Sequence, residues 1–464
     1  MIYLDYSANT PVDPDVLEAF CRAEREYIGN PNSQHLAGNE AAEAMEKTDE
    51  GISKLLHADG YEIIYTSGAS ESNNLAIKGI THGKTSQSGS GQISSGQISS
   101  GQIGSGQISI EQIGSGQISN GVINSGQISI RQIKEEGTAV YRGHIISTVL
   151  EHESVRESLI FLKNEGYDVD FLNVQSDGKI NLEQLRSLMR DDTILVSICA
   201  VDSELGVMQP IQQIAEIVHE YPDCVLHVDA TQAVGKIDLM QFENGKKCSC
   251  GDDTTYVDDS NKKHPYIGSE NSADSYLCGA DTISISPHKF YGITGSGLLL
   301  KRRNLKIEPQ ISGGASTTPY RSGTPALALA VSTETALRKV ITNQRENTAR
   351  VKMLNDELRR SVTRSQYDIR INSPADAVPH ILNISVDGVK GTAFQRALSD
   401  KGVCVSVKSA CSSDGEPSRA VLAVSGDRRN ALSSFRISLS HLTTDEEIKE
   451  FMDIFDKCYH EFKD

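Results

Sequence analysis

The chain has 464 residues, with 62 acidic against 45 basic side chains and a formal net charge of −17 at neutral pH. That surplus argues against nonspecific binding to nucleic acid or to an anionic membrane surface. No run approaches the roughly 18 apolar residues of a membrane span. The start, Met1-Ile2-Tyr3-Leu4-Asp5-Tyr6, shows no basic stretch followed by an apolar one, hence no signal peptide. The nine cysteines are scattered and odd in number, which fits a reducing, cytoplasmic compartment better than a disulfide framework.

Residues from about 13 to 57 read as largely helical. Asp13 followed by Pro14 suits a helix cap and first helical position. Gly29-Asn30-Pro31-Asn32-Ser33 interrupts with turn chemistry. A short strand, Glu62 to Tyr65, then feeds the small-residue turn Thr66-Ser67-Gly68-Ala69-Ser70 and a helix. Such a turn presents free backbone N–H groups, a phosphate-binding arrangement.

From about 83 to 137 the character changes. Isoleucine recurs every fifth residue from Ile93 to Ile133 within a Gly-Gln-Ile-Ser-Ser motif. A period of five matches neither the roughly 3.6 of a helix nor the roughly two of a strand. Two readings stand: a pentapeptide-type square β-helix, or a Gly/Ser-rich low-complexity insert. Either way the segment is an insertion in a pre-existing domain.

Strands and helices then alternate: a strand at 144–148, a helix opening at 151–154, a strand at 167–172 and a helix at 182–189. Further strands at 193–198 and 224–229 flank a helix at 211–221. The near-continuous apolar character of the last two strands marks a buried parallel sheet. This rhythm predicts a doubly wound sheet with a site at the carboxyl ends of its strands. A second insert, about 244–279, is polar and acidic. It holds Cys248, Cys250, His264 and Cys278, whose spacing fits a solvated loop better than a zinc site. After about 306 comes a smaller α+β unit ending in a helix from Thr444.

The segment Ser284-Ile285-Ser286-Pro287-His288-Lys289-Phe290-Tyr291-Gly292 carries the chemistry. A lysine is a poor nucleophile as an exposed ammonium, with a pKa of about 10.4. Desolvated, it forms a Schiff base with a carbonyl cofactor such as pyridoxal phosphate (PLP). Alone, the segment reads first as a surface lysine in a turn.

Together with other motifs it reads otherwise. These are Leu4 to Asp13, Gly29-Asn30-Pro31, the Thr66 to Asn74 turn, Glu151-His152, Gln209-Pro210-Ile211, and His227-Val228-Asp229-Ala230-Thr231-Gln232. Arg321-Ser322-Gly323-Thr324, Ser409-Ala410-Cys411-Ser412-Ser413 and Phe435-Arg436-Ile437-Ser438-Leu439 follow. In that order they resemble the class V PLP-dependent transferases, and within them cysteine desulfurases of the NifS/IscS type.

The resemblance implies PLP-dependent transferase fold type I: a large, mostly parallel, doubly wound α/β domain (15–305), a smaller α+β domain (306–464) and an N-terminal segment (1–14) packing with the latter. It implies PLP on Lys289, with Asp229 at the pyridine nitrogen, Gln232 at the phenolic oxygen and His152 on the ring face. Ala69, Ser70, Ser286 and His288 would hold the phosphate. Thr324 would reach it from a second copy, implying a homodimer. Arg436 would clamp the substrate carboxylate. Cys411, in a polar stretch near Lys408, would take sulfur from L-cysteine and pass it to an acceptor such as an iron–sulfur scaffold or a tRNA-thiolation protein. The other outcomes are a selenocysteine lyase or related class V enzyme, or a catalytically weak paralogue serving as a sulfur-relay or binding partner.

Two departures stand out. Asp202-Ser203-Glu204 replaces the usual Asn-Asn-Glu. An aspartate beside the phenolic oxygen and the substrate carboxylate costs on the order of 4 kcal/mol at about 4 Å, unless protonated or turned away. Val407-Lys408 replaces small residues before Cys411, which stiffens that loop.

Overall fold

The computed structural model describes residues 1–88, 141–237, 255–257, 263–265, 279–314, 318–364, 366–407 and 416–463. The pentapeptide motif, Lys408, Cys411 and the side chains of Cys248, Cys250, His264 and Cys278 fall outside the described residues.

The chain opens with β1 (Ile2–Tyr3) and α1 (Pro14–Glu26). Asp13 caps α1 as expected, its carboxylate accepting from the backbone N–H of Asp15 at 2.8 Å. After α2 (Leu36–Leu56) come β2 (Tyr61–Thr66) and α3 (Ala69–Ser88), so α3 continues through the first residues of the Gly/Ser-rich segment. The α/β rhythm runs as β3 (His144–Thr148), α4 (Glu153–Asn164), β4 (Asp168–Leu172), α5 (Leu182–Leu188), β5 (Thr193–Cys199), α6 (Ile211–Val218) and β6 (Val225–Asp229). The short strands β7 (Thr255–Val257) and β8 (Lys263–Pro265) pair with each other. Then come β9 (Thr282–Ile285), a single 3-10 turn at Pro287–Lys289 and β10 (Gly297–Arg302).

The main sheet has seven strands in the order β2-β10-β9-β6-β5-β3-β4. Strand β10 is antiparallel to both neighbours; the remaining pairs are parallel. Strands β3, β6 and β9 are buried along their whole length, as parallel strands covered by helices on both faces must be. Register places the site: Cys199 at the end of β5 pairs with Asp229 at the end of β6, which pairs with Ser284 of β9. The carboxyl edge therefore carries one row of chemically useful side chains.

Helix α7 (Leu327–Thr342) contributes Leu327 and Ala330 to a core shared with Ala41 and Met45 of α2. A second core gathers around α8 (Gln344–Val362), β11 (Ile369–Ile371), β12 (Ile381–Val386), α9 (Gly391–Asp400) and β13 (Val403–Cys404). It is completed by β14 (Ser434–Ser438) and α12 (Asp445–Lys463), whereas α10 (Arg419–Ser425) and α11 (Arg428–Ser433) put Ala420, Val421 and Ala431 into a separate cluster with Leu150, Cys199, Leu205 and Val207. Strands β11, β12 and β14 form an antiparallel sheet with β12 in the middle. The N-terminus joins this unit: Ile2 and Leu4 are buried in its core, and β1 pairs in parallel with β13.

Candidate active site

The turn from β2 into α3 sits against β10. A Cβ on Gly297 would come 2.5 Å from the Cα of Gly68, so only glycine permits that approach. The turn ends in the first N–H groups of α3, at the mouth of a cavity of about 450 Å³ lined by Ala69 and Ser70.

Lys289, Asp229, His152, Gln232, Ser286, His288 and Arg436 line the same cavity. Sequence reasoning brought these residues together from segments hundreds of positions apart, and the structure gathers them. Thr324 does not join them: it is exposed and is not among the residues lining the cavity.

Lys289 follows β9 on the 3-10 turn, and its Nζ donates to the carbonyls of Ser7 (2.8 Å) and Ala8 (2.5 Å). Next to it, Tyr291 holds φ at 67°, unusual for a residue with a side chain. That conformation is fixed from both sides: its N–H donates to Thr10 Oγ1 at 2.7 Å and its hydroxyl lies 2.6 Å from Ser440 Oγ.

Asp229 Oδ1 accepts from the backbone N–H of Thr231 at 2.9 Å, and Oδ2 accepts from Asn73 Nδ2 at 2.8 Å. His152 caps α4, its Nδ1 accepting from Ser154 N at 3.2 Å and lying 2.9 Å from Ser154 Oγ. Burial holds the His152 imidazole below its ordinary pKa, and the Lys289 charge adds to this against Asp229. His288 Nδ1 lies 2.8 Å from Ser286 Oγ, and burial with the charges of Lys289 and Lys236 brings its pKa down to about 4.

Arg436 comes from β14 and is almost fully buried. Its Nη2 pairs with Asp5 Oδ1 at 2.9 Å and its Nη1 donates to the Ser203 carbonyl at 2.7 Å. Its Nε finds no hydrogen-bond partner among the described residues.

Asp202 requires a correction. Its carboxylate accepts from the backbone N–H of Glu204 at 3.1 Å and from that of Leu205, closing its own turn. Val201 and Ser203 line the cavity, whereas Asp202 does not. The repulsion expected of an aspartate facing the substrate carboxylate is avoided because an acceptor with two nearby N–H donors turns toward them. Burial, with Glu204 nearby, pushes its pKa up to about 7.

Several participants were not assigned roles from sequence. Asn73 lies inside the turn motif but joins residues of α4 and β6. Asp5 sits in the first motif and neutralises Arg436. Lys236, one helical turn past Gln232, is buried and donates to Gln232 Oε1, whose Nε2 donates to the Ser7 carbonyl at 2.9 Å. Only the i, i+4 spacing of Gln232 and Lys236 was available as a signal.

The donor set fits PLP. An amine and a buried carboxylate line one cavity, and helix N–H groups suited to a phosphate stand at its mouth. Thr231 Oγ1 is buried at the cavity with no hydrogen-bond partner among the described residues, as a group awaiting a polar ligand would be. Among the described residues no cluster of three metal-binding side chains occurs, and no helix is long and apolar enough to cross a membrane.

An open α/β sheet with a lysine-centred cavity at its carboxyl edge defines a class of carbonyl-cofactor enzymes. The chain belongs to the class-V aminotransferase family, whose model matches residues 2–93, 128–243 and 269–451. It is 34% identical to the cysteine desulfurase IscS of Klebsiella pneumoniae, over 98% of this chain and 92% of that protein. It is 30% identical to the cysteine desulfurase IscS of Dictyoglomus turgidum, over 100% of this chain and 95% of that one. A solved NifS-like protein superposes with a TM-score of 0.74 at 27% identity, covering 99% of this chain and all of the other.

Proposed function

We propose that the protein is a PLP-dependent cysteine desulfurase, converting L-cysteine to L-alanine and leaving the sulfur as a persulfide on Cys411. The observation that carries this reading is that Lys289, Asp229, His152 and Arg436 line a single cavity. The bound PLP supplies an electron sink for the charge that develops on the substrate.

The residues divide the remaining work. Arg436 binds the substrate carboxylate, its own charge held in place by Asp5 and the Ser203 carbonyl. Asp229 would keep a proton on the ring nitrogen, and His152 would cover the ring face. Gln232 would donate to the phenolic oxygen. The first N–H groups of α3, with Ser70, Ser286 and His288, hold the phosphate. Thr324 of a second copy completes that cradle in a homodimer. Lys289 Nζ removes the Cα proton. Cys411 Sγ, as the thiolate, then attacks the substrate sulfur, forming an S–S bond as the Cβ–S bond breaks; the bonding pair leaves with Cβ, which takes up a proton to become the methyl group of alanine. The persulfide passes to an acceptor in the cytoplasm, an iron–sulfur scaffold or a tRNA-thiolation protein.

Two measurements test this. Borohydride reduction of the PLP-loaded protein, followed by peptide mapping, should label Lys289. Cysteine with a reductant should yield sulfide and alanine in equal amounts. A label elsewhere, or alanine without sulfide, defeats the proposal.

A further inference from the structure

Asn73 is fully buried, and its three side-chain hydrogen bonds reach two other elements, α4 and β6. Nδ2 donates to Asp229 Oδ2 at 2.8 Å and to Ser154 Oγ at 2.9 Å, while Oδ1 lies 3.1 Å from His227 Nε2. His227 in turn places Nδ1 2.9 Å from Thr282 Oγ1.

Proton bookkeeping along this chain has one solution. Asp229 is an acceptor, so the amide must present its NH2 there, which leaves Oδ1 facing His227. His227 Nε2 must then carry a hydrogen, and neutral Nδ1 accepts from the Thr282 hydroxyl. The other end agrees independently. His152 Nδ1 accepts from the Ser154 backbone N–H, so it carries no hydrogen. The Ser154 hydroxyl must donate to that same nitrogen, which leaves its oxygen to accept from Asn73. His152 is therefore the Nε2–H tautomer.

We propose that Asn73 is a positioning residue whose amide, locked between Asp229 and His227, holds its NH2 on Asp229, fixes His227 as the Nε2–H tautomer and keeps the Ser154 hydroxyl turned toward His152. The carboxylate that the function places at the ring nitrogen is oriented by this one amide; the inference rests on that reading. Burial favours the same protonation, bringing His227 down to about 4 and lowering His152. The charged groups facing these rings are Asp229 for His227, and Asp229, Lys289, Glu153 and Arg419 for His152.

The test uses the full chain. Nitrogen-15 spectra of histidine-labelled protein, assigned with His152→Gln and His227→Gln, should show both rings neutral with the hydrogen on Nε2 near neutral pH. In Asn73→Leu the His227 ring should become a tautomer mixture, while His152, held by the Ser154 backbone N–H, should stay Nε2–H. The absorbance titration of the PLP-loaded variant should move up by about one pH unit as Asp229 loses its donor. His227→Gln should leave that titration where it is, because a glutamine Nε2 still donates to Asn73. If Asn73→Leu does not fold, the isosteric Asn73→Asp replaces it and should shift the titration the same way.

Hydrogen on Nδ1 of either ring in the parent protein overturns the proposal, as does a variant at 73 with unchanged spectra and titration. The spectra are also taken without added PLP. A protein that binds no PLP defeats the proposed function, while the tautomers still decide the role of Asn73.

Discussion

Arg436 Nη2 and Asp5 Oδ1 meet at 2.9 Å across 431 residues of sequence. The guanidinium is almost wholly buried, so its charge depends on the carboxylate that the N-terminal segment brings to it. Removing one partner of a buried ion pair strands the other. Asp5→Ala should lower unfolding free energy by about 3–5 kcal/mol, read by chemical denaturation. Arg436→Ala should instead raise the KM for cysteine by at least tenfold with cofactor absorbance retained, and an unchanged KM would remove Arg436 from the carboxylate site.

Asp202→Asn should leave turnover within about threefold of the parent, since the side chain serves its own turn. An asparagine oxygen can accept from the same two N–H groups. A loss of turnover greater than about a hundredfold in steady-state kinetics would return Asp202 to the reaction, because only a group acting in the transition state costs that much.

Glu151 is fully buried beside the cavity, its Oε1 bound by Thr148 Oγ1 (2.7 Å) and the Cys199 N–H (2.9 Å), its Oε2 without a partner among the described residues. Burial pushes its pKa up to about 8. Between the unfolded value of about 4.5 and pH 8 the folded chain holds a proton the unfolded chain has lost, so stability declines as pH rises across that window. Glu151→Gln removes the dependence. Its stability relative to the parent should grow between pH 5 and pH 8 by on the order of 4 kcal/mol, measured by denaturant melts. A constant difference would mean the carboxyl is already ionised in the fold.

Lys289→Ala should abolish the visible absorbance of the PLP-loaded protein and the borohydride label. Cys411→Ser should keep the absorbance and lose sulfide release. Sulfide production by Cys411→Ser at the parent rate would assign sulfur transfer to another group.

The sheet was legible because burial on both faces leaves apolar runs, and the turn before α3 because small residues are needed where β10 approaches. Cavity residues such as Lys289, Asp229 and His152 were legible through local motifs at the ends of strands. Asn73 was not, because its importance lies in partners 81, 154 and 156 residues away, which no local pattern encodes. Asp202 was misread for the opposite reason. Its type suggested a charge facing the ligand, but two N–H groups within three residues captured it first. Lys236 looked like any polar residue ending a helical turn until the packing around Gln232 enclosed it.

The pairing of β1 with β13 has a consequence for how the protein is made. Ile2 and Tyr3 leave the ribosome some four hundred residues ahead of their strand partners, Val403 and Cys404. The carbonyls of Ser7 and Ala8 that receive the Lys289 amine belong to the same early segment. Until Val403 and Cys404 have been made that segment has no strand to join, since so distant a contact must wait for its other half. The nascent chain therefore carries its lysine unassembled until then, and the site closes only once β13 is available.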